Sequence, residues 1–236
     1  MKIRIKFKKE GTLAFIGHLD VMRYFQKAMR RAGIPIAFTG GYSPHMIMSF
    51  ASPLGIGLTS EGEYVDIELA GSITSREAVD ALNRVAVDGI EVVSFRQISE
   101  EKKMTAMAIV AAADYLVTSK KSETWNTADL AGQVEQFLAQ DEICVLKQTK
   151  RSEKTVDIKP LIYQLEVREN SLFMKLAAGS VENLKPDLVM EAICGYMGMD
   201  ADKNAFSYHR MEMYADTGTE GERRLVTLES LGNEVA

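Results

Sequence analysis

The stretch Lys2-Ile-Arg-Ile-Lys-Phe-Lys8, with His18-Leu-Asp-Val-Met-Arg-Tyr-Phe-Gln-Lys-Ala-Met-Arg-Arg-Ala32 behind it, decides the fold. In the first part Ile3, Ile5 and Phe7 alternate with Arg4, Lys6 and Lys8, the period of a half-buried strand. In the second part Leu19, Met22, Phe25, Met29 and Ala32 recur at spacings of three and four and predict one apolar helix stripe. Arg23, Lys27, Arg30 and Arg31 fall on the opposite side, and Gly33 and Pro35 stop the helix.

Outward from this pair the same two periods continue. The apolar run Met46–Ala51 and Tyr64-Val-Asp-Ile-Glu-Leu69 read as strands. Thr74-Ser-Arg-Glu77 is a capping box that opens a second helix, and Ile90–Phe95 closes the set as a strand. The order β-α-β-β-α-β is the ferredoxin-like plan. Ser99-Glu-Glu-Lys-Lys103 is a charged break, after which the rhythm repeats more loosely. Ala106–Val117 and Ile143–Leu146 read as strands, Leu161–Val167 and Leu172–Leu176 as a hairpin, and Phe206–Tyr214 as a last strand. Helices are expected around Leu130–Leu138 and from Pro186. The expected class is α+β, with two ferredoxin-like modules in tandem at residues 1–98 and 104–215. A tail at 216–236 frays, apart from local docking of Leu225, Val226 and Leu228.

The bulk numbers set limits. The 236 residues are 46% hydrophobic and 26% charged, with a net charge of −5, so the whole molecule exerts no long-range pull on nucleic acid or an anionic membrane. No apolar run approaches the roughly 20 residues that span a bilayer. The N-terminus has no signal-peptide core, which leaves a cytoplasmic chain without membrane contact as the expectation. Two cysteines, Cys144 and Cys194, fit reduced thiols and are too few for an iron–sulfur cluster, which takes about four ligands. There is no Gly-rich phosphate loop, no His-Glu-x-x-His, no paired Cys-x-x-Cys and no Gly-x-Ser-x-Gly elbow. No intrinsic cofactor and no metal are expected.

Charge is unevenly spread. Residues 1–31 carry nine Lys and Arg against Glu10 and Asp20, and Ala32–Ser60 carries no charge. Gly17-His-Leu-Asp20 opens a helix, where free N–H groups favour an anion; Asp20 sits three residues before Arg23 and orients it. Thr39-Gly-Gly-Tyr-Ser-Pro-His45 is a loop with close backbone approach at its glycines. His18 and His45 are the candidate proton-transfer groups, and Tyr42 offers a stacking face. Candidate binding residues are Asp20, Arg23, Lys27, Arg30, Arg31, Tyr42, Ser43, Ser49, Ser60 and Glu63. A second basic cluster adds Lys150, Arg151 and Lys154 beside Asp157. Each has a plainer reading: Asp20 as a dipole complement, the glycines as turns, the histidines as satisfied loop residues, the basic faces as solvated surface, and Ser60-Glu-Gly-Glu63 as a polar turn.

These residues carry a resemblance. Phe15-Ile-Gly-His-Leu-Asp20, Ala28-Met-Arg-Arg-Ala32, Gly41-Tyr-Ser-Pro-His45, Ser49-Phe-Ala51 and Ser60-Glu-Gly-Glu-Tyr64 resemble the radical SAM-linked proteins, a family filed as a domain of unknown function. Weaker echoes lie in Lys154-Thr-Val-Asp-Ile-Lys-Pro160 and Tyr208-His-Arg210. Gly17 stands where members commonly have Ser, and Met46 where they often have Pro.

The resemblance implies association with a radical SAM protein that has a cobalamin-binding-like region. It also hints at RNA, since some members are encoded near ribonuclease E/G and ribosomal-protein genes. The expected function is a non-catalytic accessory or substrate-binding protein for such an enzyme, on RNA or a ribosome-linked substrate, with no DNA. Two alternatives stand beside it. One is a metal-independent RNA-processing nuclease using His18 or His45, similar in fold plan to the CRISPR repeat-processing endoribonucleases. The other is a protein–protein scaffold.

Overall fold

The computed structural model describes residues 1–120, 127–148, 153–199, 202, 204–219 and 221–236. The chain is mixed α+β, with a large, mostly antiparallel sheet and, among the described residues, five α-helices. It divides into two compact units, Met1–Ala112 with Arg210–Ala236, and Ala113–His209. No helix among the described residues is long and apolar enough to cross a membrane.

In the first unit β1 (Lys2–Lys9), β3 (Thr59–Glu68) and β4 (Ile90–Gln97) run in the order β4-β1-β3, and β2 (Met48–Phe50) pairs with β3. Helices α1 (His18–Ala32) and α2 (Ser75–Arg84) connect them, and α2 carries the expected capping box between Thr74 and Glu77. The register sets Ile3 opposite Ile67 and Ile5 opposite Val65, so one sheet face is continuous and apolar. Phe7 on that face meets Phe25 of α1 at 4.6 Å between ring centroids. The buried stripe of α1 is Val21, Phe25, Ala28 and Met29, a rotation from the expected one that leaves Leu19 exposed.

The opposite face of β1 was expected to meet water and does not. Arg4 is 2% exposed and forms a two-pronged pair with Asp66, Nε to Oδ1 at 2.9 Å and Nη2 to Oδ2 at 3.0 Å. Nη1 also donates to the carbonyl of Leu228, at 3.1 Å, and Nη2 to that of Met104, at 2.9 Å. Asp66 also accepts the Ala106 N–H at 2.7 Å, which ties down the start of the short helix α3 (Ala106–Ile109). That helix occupies the first residues of the expected strand Ala106–Val117, whose strand part is β5 (Val110–Ser119). Lys6 pairs with Glu212 at 2.7 Å and with Glu229 at 3.3 Å, and Tyr64 donates to Glu212 at 2.6 Å.

The tail therefore does not fray. β11 (Leu225–Thr227) pairs with β10 (Phe206–Asp216), β12 (Asn233–Glu234) pairs with β4, and Leu228 is fully buried. The boundaries differ from the expected ones for the same reason, since 210–236 packs with the first unit and not as an appendage.

In the second unit β9 (Ser171–Ala177) lies between β5 and β8 (Ile162–Arg168). Helices α4 (Thr127–Ala139) and α5 (Pro186–Tyr196) belong here. The hairpin of β6 (Cys144–Gln148) and β7 (Glu153–Asp157) forms a separate two-stranded sheet.

Removing one partner of a buried ion pair strands the other charge. Asp66→Ala is expected to lower the unfolding free energy by roughly 3–5 kcal/mol in urea titration. The double replacement Arg4→Met with Asp66→Leu removes the stranded charge but leaves the Leu228 and Met104 carbonyls and the Ala106 N–H without these partners, so it recovers only part of that loss. A single variant as stable as the parent would show that the pair does not hold this face closed.

Candidate binding surface

Helix α1 is the platform. Arg23, Lys27, Arg30 and Arg31 are all exposed and lie at i, i+4, i+7 and i+8, a single stripe about 12 Å long. Asp20 holds Arg23 through Nη1 at 3.3 Å, on the surface, where such a pair adds little stability. No ion pair joins Lys27, Arg30 or Arg31 to a carboxylate among the described residues.

At the N-terminal end of the stripe the surface turns apolar. Phe15, Leu19 and Ile56 are 73%, 60% and 67% exposed. They belong to one region, because Gly57 donates to the Ala14 carbonyl at 2.8 Å and the position of a Cβ on Gly17 lies 3.9 Å from Ile56 Cδ1. Gly17 caps α1 without a side-chain hydrogen bond. His18 is half-buried and packs edge-on against Phe50 at 5.0 Å between centroids.

The loop before β2 is closed by its own residues. His45 N–H and Nδ1 lie 3.1 and 3.2 Å from Thr39 Oγ1, Nδ1 also lies 3.2 Å from the Ser43 carbonyl, and Phe38 bridges Met46. His45 thus holds the loop shape from an exposed position. Tyr42 is fully exposed at the tip beside the exposed Ser43. Ser49, half-buried on β2, stands opposite Asp66.

Ser60 and Glu63 are elsewhere in kind. The polar turn expected at Ser60-Glu-Gly-Glu63 is part of strand β3, and both side chains are buried. Gly62 makes this possible: a Cβ there would meet Met211 O at 2.7 Å and Glu212 Cα at 2.8 Å. Glu63 takes two hydrogen bonds from Arg210, at 2.8 and 2.6 Å, and Arg210 donates again to the Ser52 carbonyl at 2.8 Å. These contacts gather Ser52, Glu63 and Arg210, far apart in the chain, into one internal anchor. Sequence reading missed Arg210 as Glu63's partner, since nothing local links residues 147 positions apart.

Lys9 belongs beside this anchor. It is 2% exposed, faces Ser60 in the β1–β3 register, and makes a long 3.4 Å bond from Nζ to the Ala14 carbonyl. Burial lowers the pKa of its ammonium below 10.5; Glu63 acts against this and Arg210 with it.

In the second unit Asp157 is a structural brace, accepting the N–H groups of Ile143 at 2.8 Å and Lys159 at 3.0 Å. Lys154 is exposed. Lys150 and Arg151 lie outside the described residues.

The lowered Lys9 pKa sets a pH dependence. As pH rises, the native chain releases this proton first, so between the lowered value and 10.5 the unfolded state holds more protons and stability rises. Lys9→Met is expected to be more stable than the parent at pH 7, by an amount that narrows as the pH approaches 10.5. Denaturant titration across this range reads it, and a gap that does not change with pH would sink the assignment.

Comparison with known proteins adds the following. No curated protein matches this chain. Among solved structures, a chain of a Cbf5-Nop10-Gar1 complex aligns with a TM-score of 0.46 and 11% identity, covering 89% of this chain and 48% of that one. The present chain thus spans about half the length of that neighbour. A family profile described as "Uncharacterized protein conserved in bacteria (DUF2344)" matches residues 2–186, and the chain belongs to that family.

Proposed function

We propose that this chain is a non-catalytic accessory protein of the cytosol that binds a phosphate-bearing substrate, RNA or ribosome-linked, and presents it to a radical SAM enzyme. The observation that supports the binding half is the α1 stripe, in which Lys27, Arg30 and Arg31 stand exposed without carboxylate partners among the described residues. Charged side chains held on a rigid helix suit phosphate contact, and a local basic stripe acts at close range even on a chain of net charge −5. Fully exposed Tyr42 adds a stacking face. The enzyme half rests on the resemblance to radical SAM-linked proteins.

The finer fold reading, two ferredoxin-like modules in tandem, belongs to the same proposal. In the first unit β3 lies between β1 and β2, as in a split βαβ unit. In the second, β9 lies between β5 and β8 in the same way, with the β6–β7 hairpin as an insertion.

Binding of a labelled single-stranded RNA at several salt concentrations tests the substrate half. Affinity is expected to fall with salt, and replacing Lys27, Arg30 and Arg31 together by Gln should reduce the slope of log K against log salt by about 2, at roughly 0.7 per contact. Tyr42→Ala should weaken binding by roughly 1–3 kcal/mol if a base stacks there. Absence of binding, or a slope unmoved by the triple variant, would reject the phosphate site. Tagged chain recovered from native extract should bring an iron–sulfur radical SAM protein with it, and its absence would reject the accessory role. RNA fragments in place of a bound complex, lost in His18→Ala or His45→Ala, would favour the nuclease alternative.

A further inference from the structure

The basic stripe of α1 runs, at its N-terminal end, into the exposed apolar side chains Leu19, Phe15 and Ile56. At about 100° per residue, Leu19, Arg30, Arg23 and Lys27 fall within about 80° of one another around the helix, away from the buried Val21, Phe25 and Ala28. Along the axis the line from Leu19 to Arg31 is about 18 Å long. Asp20 is the one carboxylate of this helix and it holds Arg23, which leaves Lys27, Arg30 and Arg31 for a ligand.

Phe15 stands on a fixed backbone. Its neighbour Ala14 is buried, and the Ala14 carbonyl accepts the Gly57 N–H at 2.8 Å and Lys9 Nζ at 3.4 Å. On the other side Ile16 N–H donates to the Leu13 carbonyl at 3.2 Å. The short 3-10 turn Gly11–Phe15 is held by these bonds, and its last residue stays 73% exposed. The Gly57 bond also places Ile56, whose Cδ1 lies 3.9 Å from the position of a Cβ on Gly17. An exposed apolar region on an anchored backbone marks contact with another molecule.

Shape and charge select the occupant. Protein segments dock along a sheet edge or in a groove, and the outer side of a helix is convex and supplies neither. Apolar and cationic groups also lie end to end here, whereas an amphipathic peptide alternates its two kinds within each turn. A single nucleic-acid strand fits this layout, because its charge repeats along the phosphates and an unstacked base offers an apolar face. A duplex encloses its base faces and is recognised through shape, 2′-hydroxyls and phosphates, so it has no use for Phe15, Leu19 and Ile56.

We propose that the ligand of this surface is single-stranded RNA, with one unpaired base stacked on Phe15 and flanked by Leu19 and Ile56. Its phosphates follow Lys27, Arg30 and Arg31. The inference rests on the phosphate reading of α1 and adds two things to it: the strandedness of the substrate and the side chain that grips a base.

The test is fluorescence anisotropy of the full chain with three labelled probes. They are a short RNA strand of mixed sequence, the same strand in a blunt duplex, and the same sugar–phosphate chain without bases. The free strand is expected to bind at least ~10-fold more tightly than either of the others. Phe15→Ala should weaken the strand by roughly 5- to 100-fold, the range of one base–aromatic stack, and leave the slope of log K against log salt unchanged. Phe15→Tyr should keep most of the affinity and Phe15→Leu should not. The side chain is exposed, so all three variants should unfold at the parent's urea midpoint. Equal binding of the duplex or of the baseless chain overturns the proposal, and so does a Phe15→Leu variant as tight as the parent. Parental affinity in Phe15→Ala, with the slope still lowered by the Lys27, Arg30 and Arg31 replacements, removes the base platform and leaves the phosphate reading standing. A slope unmoved by those replacements removes both. Phe15→Ala that spares RNA but loses a protein recovered from native extract also overturns the proposal, since the patch then belongs to a protein partner.

Discussion

The two-pronged bond between Arg4 and Asp66 is the contact on which the first unit depends. Both groups are buried, and each also bonds backbone: Arg4 the Leu228 and Met104 carbonyls, Asp66 the Ala106 N–H. A buried pair contributes little net stability when compared with apolar residues of the same shape. What it adds here is placement. Three chain segments distant in sequence, around residues 104–106, 228 and β1, can satisfy these donors and acceptors together in one arrangement. The pair Arg210–Glu63 does the same on the helix side of the sheet, tying β10 to β3 and to the Ser52 carbonyl. The burial alternation of β10 shifts phase at Met211–Glu212, which lets Arg210 serve the helix side and Glu212 the side of Lys6 and Tyr64.

This arrangement explains what could and could not be read from the residues. The apolar periods of β1, α1, α2 and β4 are local, and they place those elements correctly because period and propensity agree there. The capping box at Thr74 and Glu77 is likewise local and is made as expected. Arg4 and Lys6 gave the wrong reading of their face. Alternating cations in a strand look solvated, and the cover that makes them internal comes from residues more than 200 positions away. The tail misled for the complementary reason. Its few apolar residues cannot form a core by themselves, yet a strand edge at β4 and a donor from Arg4 were waiting for them.

The candidate site divides along the same line. Motif residues that resemble one another in sequence density take two different roles in space. Ser60, Glu63 and Arg210 are internal and hold the sheet together; Arg23, Lys27, Arg30, Arg31 and Tyr42 are on the surface and are free to meet another molecule. Hydropathy could not separate them, since Glu63 and Arg31 are equally polar as letters. The separation follows from partners: Glu63 sits opposite Phe7 in the register, on the apolar face, and so must find a cation there. Gly62 offered a local signal, because a glycine inside a strand often marks close backbone approach.

The exposed residues then carry an argument of their own. Phe15, Leu19 and Ile56 sit at the start of α1, and the stripe from Arg23 to Arg31 continues from them along the same helix. A helix oriented so that Val21, Phe25, Ala28 and Met29 face the core leaves Leu19 on the solvent side, beside Arg23 and Arg30 around the helix. The α1 stripe keeps its cations clear of the sheet in this orientation, whereas rotation toward Leu19 would carry the exposed side of the helix with it. Burial of one leucine, worth about 1.5–3 kcal/mol, is thereby left unrealised. In the proposed function, an apolar surface of this kind beside Lys27, Arg30 and Arg31 would give a bound partner both desolvation and charge contact. Those are the two ingredients by which a net-acidic chain can hold an anionic ligand at one place and not over its whole surface.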